Sequence, residues 1–158
     1  MSDARFEDGG EQPLALRAET AEDLGVIAAL VQDAVLPASE IVWEAKARRL
    51  AFLINRFRWE DKPAAEAEKR PYERVQSLLV ISDVRRVSSM GIDRADKDLV
   101  LSVLDLGFVA GEDGAGRIEL TLAGDGAIAA EVECLSVDLR DVTRPYRAVS
   151  GQAPRHPD

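Results

Sequence analysis

The segment Arg56-Phe57-Arg58-Trp59 contains the residue types best suited to binding another molecule. An arginine side chain presents a planar fork of N–H donors that fits a carboxylate or a phosphate. Tryptophan adds a large apolar surface with one polar atom, and both residue types are enriched where binding energy concentrates. Together with Arg94, the residues Arg56, Arg58 and Trp59 form the predicted contact site for an acidic protein partner or an anionic small molecule.

The same segment also fits an ordinary half-buried strand. On a strand, Phe57 and Trp59 would point to one side and pack, while Arg56 and Arg58 would point to the other side and meet water. The spacing of these four residues is compatible with both interpretations.

Charge is unevenly distributed along the 158 residues, whose 20 basic and 29 acidic side chains give a net charge of −9. Residues 44–95 contain 12 basic and 8 acidic side chains, whereas residues 1–43 contain 2 and 9, and residues 96–141 contain 3 and 11. A basic centre between acidic flanks favours either an anion-binding face or ion pairing between strands. The overall negative charge argues against a general nucleic-acid binder, which gains affinity by neutralising phosphates.

Few residues are suited to catalysis or to binding a metal. The single cysteine, Cys134, alternates in phase with apolar positions, which predicts a small buried side chain rather than a reactive thiolate. The single histidine, His156, lies in a proline-rich tail, so a nucleophile would lack a fixed base. One cysteine and one histidine also exclude zinc-finger patterns and an internal disulfide. We therefore predict no catalytic residue, no metal and no cofactor.

A glycine-containing segment, Gly124-Asp-Gly-Ala-Ile-Ala129, has the form of a dinucleotide-binding motif. Too little chain follows it for the remainder of such a fold. Glycine and aspartate tolerate the positive φ of tight turns, and alternating residues flank the segment, so it predicts a β-hairpin.

A non-catalytic binding or interaction domain is thus the leading functional hypothesis. One alternative is a small enzyme or small-molecule binder that uses an arginine-lined pocket with carboxylates such as Asp83, Asp93 or Asp105. Another is a homo-oligomer formed through an exposed strand edge.

The elements that would position these residues are one helix and several short strands. The sequence Thr20-Ala-Glu-Asp23 resembles a capping box, and the apolar spacing after it predicts an amphipathic helix that Pro37 ends. Strands are predicted by alternation within residues 14–16, 41–45, 50–54, 74–81 with an extension to 90, 99–110, 118–122 and 128–134. Residues 61–71 predict an exposed loop, with a short helix over residues 64–69 as the alternative. The links are mostly of hairpin length, which predicts an α+β fold. We expect a mainly antiparallel curved sheet or half-barrel of six to seven strands, covered by the one N-terminal amphipathic helix.

The predicted domain comprises residues 13–146. Residues 1–12 and 147–158 contain too few apolar side chains to offset the entropy of ordering, so both are predicted to be disordered. Residues 1–12 have no signal-peptide pattern, and no stretch approaches the roughly 20 apolar residues that span a bilayer. A cytoplasmic protein without a membrane partner is expected.

Several motifs are spread over most of residues 14–142: DLGVIA (23–28), QDAV (32–35), NRFRWE (55–60), RVSSMGIDRADKD (86–98), LVLSVL (99–104), LAGDGAI (122–128) and VEC (132–134). Together they resemble an uncharacterised family of small alphaproteobacterial proteins that is described only as a domain of unknown function. The resemblance implies a bacterial cytoplasmic protein and carries no activity, cofactor or site residue. Members often have three glycines where this chain has Gly124-Asp125-Gly126.

Overall fold

The structure, a computed structural model, describes residues 12–93, 95–96 and 98–154. It contains α1 (Ala21–Val31) and α2 (Lys62–Glu68), with 3₁₀ turns at Ala38–Glu40 and Trp59–Asp61. The strands are β1 (Ala15–Ala18), β2 (Val35–Pro37), β3 (Ile41–Glu44), β4 (Arg49–Phe57), β5 (Glu73–Ile81), β6 (Val84–Met90), β7 (Val100–Ala110), β8 (Gly116–Leu122), β9 (Gly126–Val132), β10 (Val137–Asp141) and β11 (Tyr146–Arg147).

Helix α1 begins where the capping pattern predicts. The hydroxyl of Thr20 accepts a hydrogen bond from the backbone N–H of Asp23 at 3.1 Å, which satisfies one of the free amides of the first turn. The helix ends at Val31 rather than near Pro37, because Asp33 adopts a left-handed backbone with φ 63° and the chain then enters β2.

All strand pairs are antiparallel, as the hairpin-length links predict. The order along the sheet is β1-β10-β5-β4-β2-β7-β8-β9-β6, with β11 paired to β5 and β3 paired to β4. Partners in register share one face, so the row Leu16, Leu139, Leu79, Phe52 and Ile41 runs across five strands on the core side. The sheet curls so that its last strand, β6, returns to the start of β4. The backbone N–H of Val84 at the start of β6 donates to the carbonyl of Arg48, just before β4, at 2.9 Å.

The predicted fold class is wrong in two respects. In the described part of the chain the sheet has eleven strands rather than six to seven, and α1 does not cover it. Strands β2 and β11 are only three and two residues long, too short to show alternation, and the run 74–90 divides into two strands at Asp83, whose φ is 56°. A helix of 11 residues is about 16 Å long, which reaches over only about three or four strands, and α1 packs mainly on β1, β4 and β7.

The chain stays packed beyond residue 146. Arg147 pairs with Glu73 of β5, and Ala148 is buried and donates its backbone N–H to the carbonyl of Tyr72 at 2.9 Å. Residues 1–11 and 155–158, which hold most of the predicted disordered ends and His156, lie outside the described residues. Within the described part of the chain, no helix is both long and apolar enough to cross a membrane.

Candidate functional site

Arg56 points into the protein from the end of β4. The core-facing row of this strand consists of Leu50, Phe52, Ile54 and Arg56, and the side chain of Arg56 has no solvent exposure. A charged group in such a position must find partners for its donors, because an unpaired buried charge is very costly. The row therefore ends in a polar cluster rather than in an apolar one.

Each of the five N–H groups of the Arg56 guanidinium has an acceptor inside the chain. Nε donates to the hydroxyl of Ser77 at 3.0 Å, and Nη1 donates to Glu60 at 2.9 Å and to the carbonyl of Phe57 at 3.4 Å. Nη2 donates to the second oxygen of Glu60 at 2.8 Å and to Asp141 at 3.0 Å. The geometry leaves no donor on Arg56 for an external ligand.

Asp141 joins this cluster to Ser77 of β5 and to the chain just before β1. Its Oδ1 also accepts the hydroxyl proton of Ser77 at 2.7 Å, and its Oδ2 accepts the backbone N–H of Leu14 at 3.0 Å. Burial by itself lowers the pKa of the Arg56 guanidinium, but the hydrogen bonds and charges of Glu60 and Asp141 outweigh burial and raise that pKa. We call Arg56, Glu60, Ser77 and Asp141 the Arg56 network.

Arg58 and Trp59 lie beside this network and also contact the chain itself. Arg58 is 7% exposed and forms an ion pair with Glu73. The indole Nε1 of Trp59 donates to the carbonyl of Gln32, the C-terminal cap of α1, at 3.0 Å. Trp59 and Phe57 pack edge to face with ring centroids 4.7 Å apart. These contacts fasten the end of β4 to the end of α1.

The structure thus brings together three of the four predicted site residues. Arg56, Arg58 and Trp59 lie at one corner of the fold, whereas Arg94 lies outside the described residues. Strand β4 ends at Phe57, and Trp59 belongs to a 3₁₀ turn, so the segment is not one continuous strand. Partner binding through Arg58, Trp59 and Arg94 stays a prediction, while Arg56 has no N–H group to offer.

A cavity of about 420 Å³ lies elsewhere, between β3 and β6, and we call it the Trp43 cavity. Its lining is mostly apolar and consists of Ala38, Ile41, Trp43, Leu50, Val87, Ile92 and Ile128, with Ser39, Ser89 and Asp96 as polar members. Leu50 and Ile128 are only 1% and 4% exposed and form its floor, whereas Trp43 is 37% exposed at its mouth. The sequence predicts Ile41 and Trp43 on a strand but does not predict the cavity. The signal in the sequence was a tryptophan on a predicted strand between two acidic residues, Glu40 and Glu44.

A second, shallower cavity of about 610 Å³ lies on the outer face of β1, β10, β5 and β4. Arg17, Arg49 and Arg140 surround an apolar floor that includes Leu78 and Val80. We call it the arginine-lined face. Arg17 is paired with Asp138 at 3.0 Å, which also lines it.

The carboxylates proposed for an enzyme lie on different elements. Asp83 is in the β5–β6 turn, Asp93 is in the β6–β7 loop, and Asp105 is on β7, and none of them lines either cavity. Cys134 is exposed rather than buried, because β9 ends at Val132 and the alternation stops there. Its thiol donates to Asp83 at 3.2 Å, which raises the pKa of that thiol.

No group of three or more His, Cys, Asp or Glu side chains that could hold a metal ion occurs in the part of the chain that the structure describes. A search of curated proteins and a search of solved structures each found no significant match. A family model described as "protein of unknown function (DUF2948)" matches residues 14–156, which confirms the resemblance to a domain-of-unknown-function family. The chain therefore belongs to the DUF2948 family of proteins of unknown function.

Proposed function

We propose that this chain is a non-catalytic binding domain and that its binding site is the Trp43 cavity. The observation that carries the proposal is the depth of this cavity: core side chains of β4 and β9 form its floor, and a tryptophan stands at its mouth. Its volume of about 420 Å³ falls within the range of roughly 300–1,000 Å³ that is typical of ligand sites.

The lining favours an apolar ligand that is oriented by a few polar groups. Ser39, Ser89 and Asp96 are the polar members of an otherwise aliphatic and aromatic wall. Removing apolar surface from water contributes about 25 cal/mol for each Å² buried, and the Trp43 ring adds a broad, rigid contact surface. The interaction-domain hypothesis from the sequence is retained, but the proposed site moves from Arg56 to Trp43.

Titration with Nile red, a neutral apolar dye that fluoresces when it leaves water, tests this proposal. Val87 lines the cavity, and Ser88 points to the opposite face of β6. We expect saturable binding to the native chain, at least about tenfold weaker binding after Val87→Phe, and a change of less than about twofold after Ser88→Phe. Absence of saturable binding, or equal binding by both variants, would refute the proposal.

The arginine-lined face favours a second candidate function, the binding of an anionic small molecule. Arg49 and Arg140 are exposed there above Leu78 and Val80, so one surface offers guanidinium groups next to apolar area. A thermal-shift screen of phosphorylated and carboxylated metabolites tests this candidate, because a ligand at 100 times its Kd adds about 2.7 kcal/mol of stability. A hit that persists after Arg140→Ala would exclude this face as its site.

A further inference from the structure

Strand β3 has an edge that faces the Trp43 cavity. In the described part of the chain, β3 pairs only with β4, so its other edge has no strand partner. Ile41 and Trp43 point from this strand into the cavity, and Val87 of β6 lies on the opposite side of the same opening. Backbone donors and acceptors therefore lie next to an apolar cavity.

We infer that the ligand of this site is an extended peptide segment that adds to the free edge of β3 as a further strand. The inference rests on the proposed function and specifies the class of ligand. An added strand hydrogen-bonds through its backbone, and every second side chain points to the same face. Residues opposite Ile41 and Trp43 would enter the cavity, so these positions of the peptide are apolar.

The outer face of β3 determines which residues of the peptide alternate with the apolar ones. Glu44 is exposed, and its nearest charge partner is Arg49, at the 4.0 Å limit of an ion pair. A residue opposite Glu44 on an added strand would lie within about 5 Å of it, where opposite charges stabilise the pair. Asp96 adds a negative charge to the lining of the cavity. The inferred peptide therefore alternates apolar with basic residues.

The shape of the opening favours a single strand over a second copy of the protein. Strand β6 borders the opening opposite β3, and the two sides converge where Val84 donates to the carbonyl of Arg48. A single extended segment needs less room beside β6 than the sheet of a second copy would need. The experiment below distinguishes dimerisation of the protein from binding of a peptide.

The test uses a fluorescein-labelled, end-blocked peptide of seven residues in which valine alternates with lysine, measured by fluorescence polarisation. We expect saturable binding that Val87→Phe weakens at least about tenfold and Ser88→Phe leaves within about twofold. N-methylation of one alternate set of residues should abolish binding, while N-methylation of the other set should not, because only one set faces β3.

A charge swap tests the contact with Glu44. Glu44→Lys should weaken binding of the lysine peptide at least about threefold. The same substitution should strengthen binding of a peptide with glutamate in place of lysine by at least about threefold. Nile red binding without peptide binding would overturn this inference and leave the proposed function standing, whereas loss of both would refute both. The inference would also be overturned if neither N-methylation nor the charge swap changed peptide binding. A concentration-dependent dimer in light scattering, without peptide binding, would overturn it as well.

Discussion

The guanidinium of Arg56 and the carboxylate of Asp141 meet at 3.0 Å, although 85 residues separate them in the chain. Strand β5 lies between their strands β4 and β10, so the contact reaches over Ser77 and joins strands that are not neighbours in the sheet. The side chains of Arg56 and Asp141 are 0% and 5% exposed. The Arg56 network is therefore an internal connection between β4, β5 and β10, and Asp141 extends it to the chain just before β1.

Arg56→Ala should lower the free energy of unfolding by about 3–5 kcal/mol, because it leaves Asp141 and Glu60 without their buried counterion. Urea denaturation followed by circular dichroism measures the change. Arg117→Ala is the control, since Arg117 is exposed on β8 and pairs with Glu119 on the surface, where ion pairs contribute about 1 kcal/mol or less. A loss in Arg56→Ala no larger than in the control would contradict the structural role of the network.

The sequence predicts the last hairpin well because local rules determine it. Gly124 and Asp125 adopt φ of 81° and 67° between two strands that alternate in register. The capped start of α1 is predictable for the same reason. Strand β11 is not, because two residues have no period, and its pairing with β5 depends on chain that is distant in sequence.

The site is less predictable than the fold. Alternation shows that Arg56 shares a face with Ile54, but it does not show whether that face is still buried at the strand end. The partners Ser77 and Asp141 belong to no sequence pattern with Arg56. The Trp43 cavity likewise exists only because β6 curls to face β3, a relationship between strands far apart along the sheet.

Substitution of Trp59 should affect mainly stability, whereas substitution of Trp43 should affect mainly binding. Trp59→Phe keeps a ring against Phe57 but removes the donor to Gln32, so we expect a loss of about 1–2 kcal/mol in stability and unchanged Nile red binding. Trp43→Phe should reverse this result, with a stability change of about 0.5 kcal/mol or less and weaker dye binding. Chemical denaturation and dye titration of both variants check the prediction. The same response in both variants would contradict it.

Tyr72→Phe should raise the pKa of Glu66. The Tyr72 hydroxyl donates to the Glu66 carboxylate, and this bond, followed by Lys62 at 3.1 Å, lowers the pKa of Glu66 below its usual value. A lowered carboxyl pKa in the folded state means that the pairing stabilises the fold above the usual pKa and is lost as the pH falls. An NMR pH titration measures the shift. Glu133, whose pKa Arg48 lowers, should not change, and an unchanged Glu66 pKa would disprove the assignment.

Cys134 should react slowly with a disulfide reagent even though it is exposed. Its hydrogen bond to Asp83 raises the pKa of the thiol, so less of the reactive thiolate is present at pH 7.5. Asp83→Asn removes the negative charge and keeps a side chain that tolerates the left-handed backbone at φ 56°. We expect its rate with dithiobis(nitrobenzoate) to rise about three- to tenfold at pH 7.5 and the midpoint of the pH–rate profile to fall. Asp113→Asn, the same substitution at φ 55° in the β7–β8 loop, is the matched control. Equal rates and midpoints in the two variants would show that Asp83 does not hold the thiol proton.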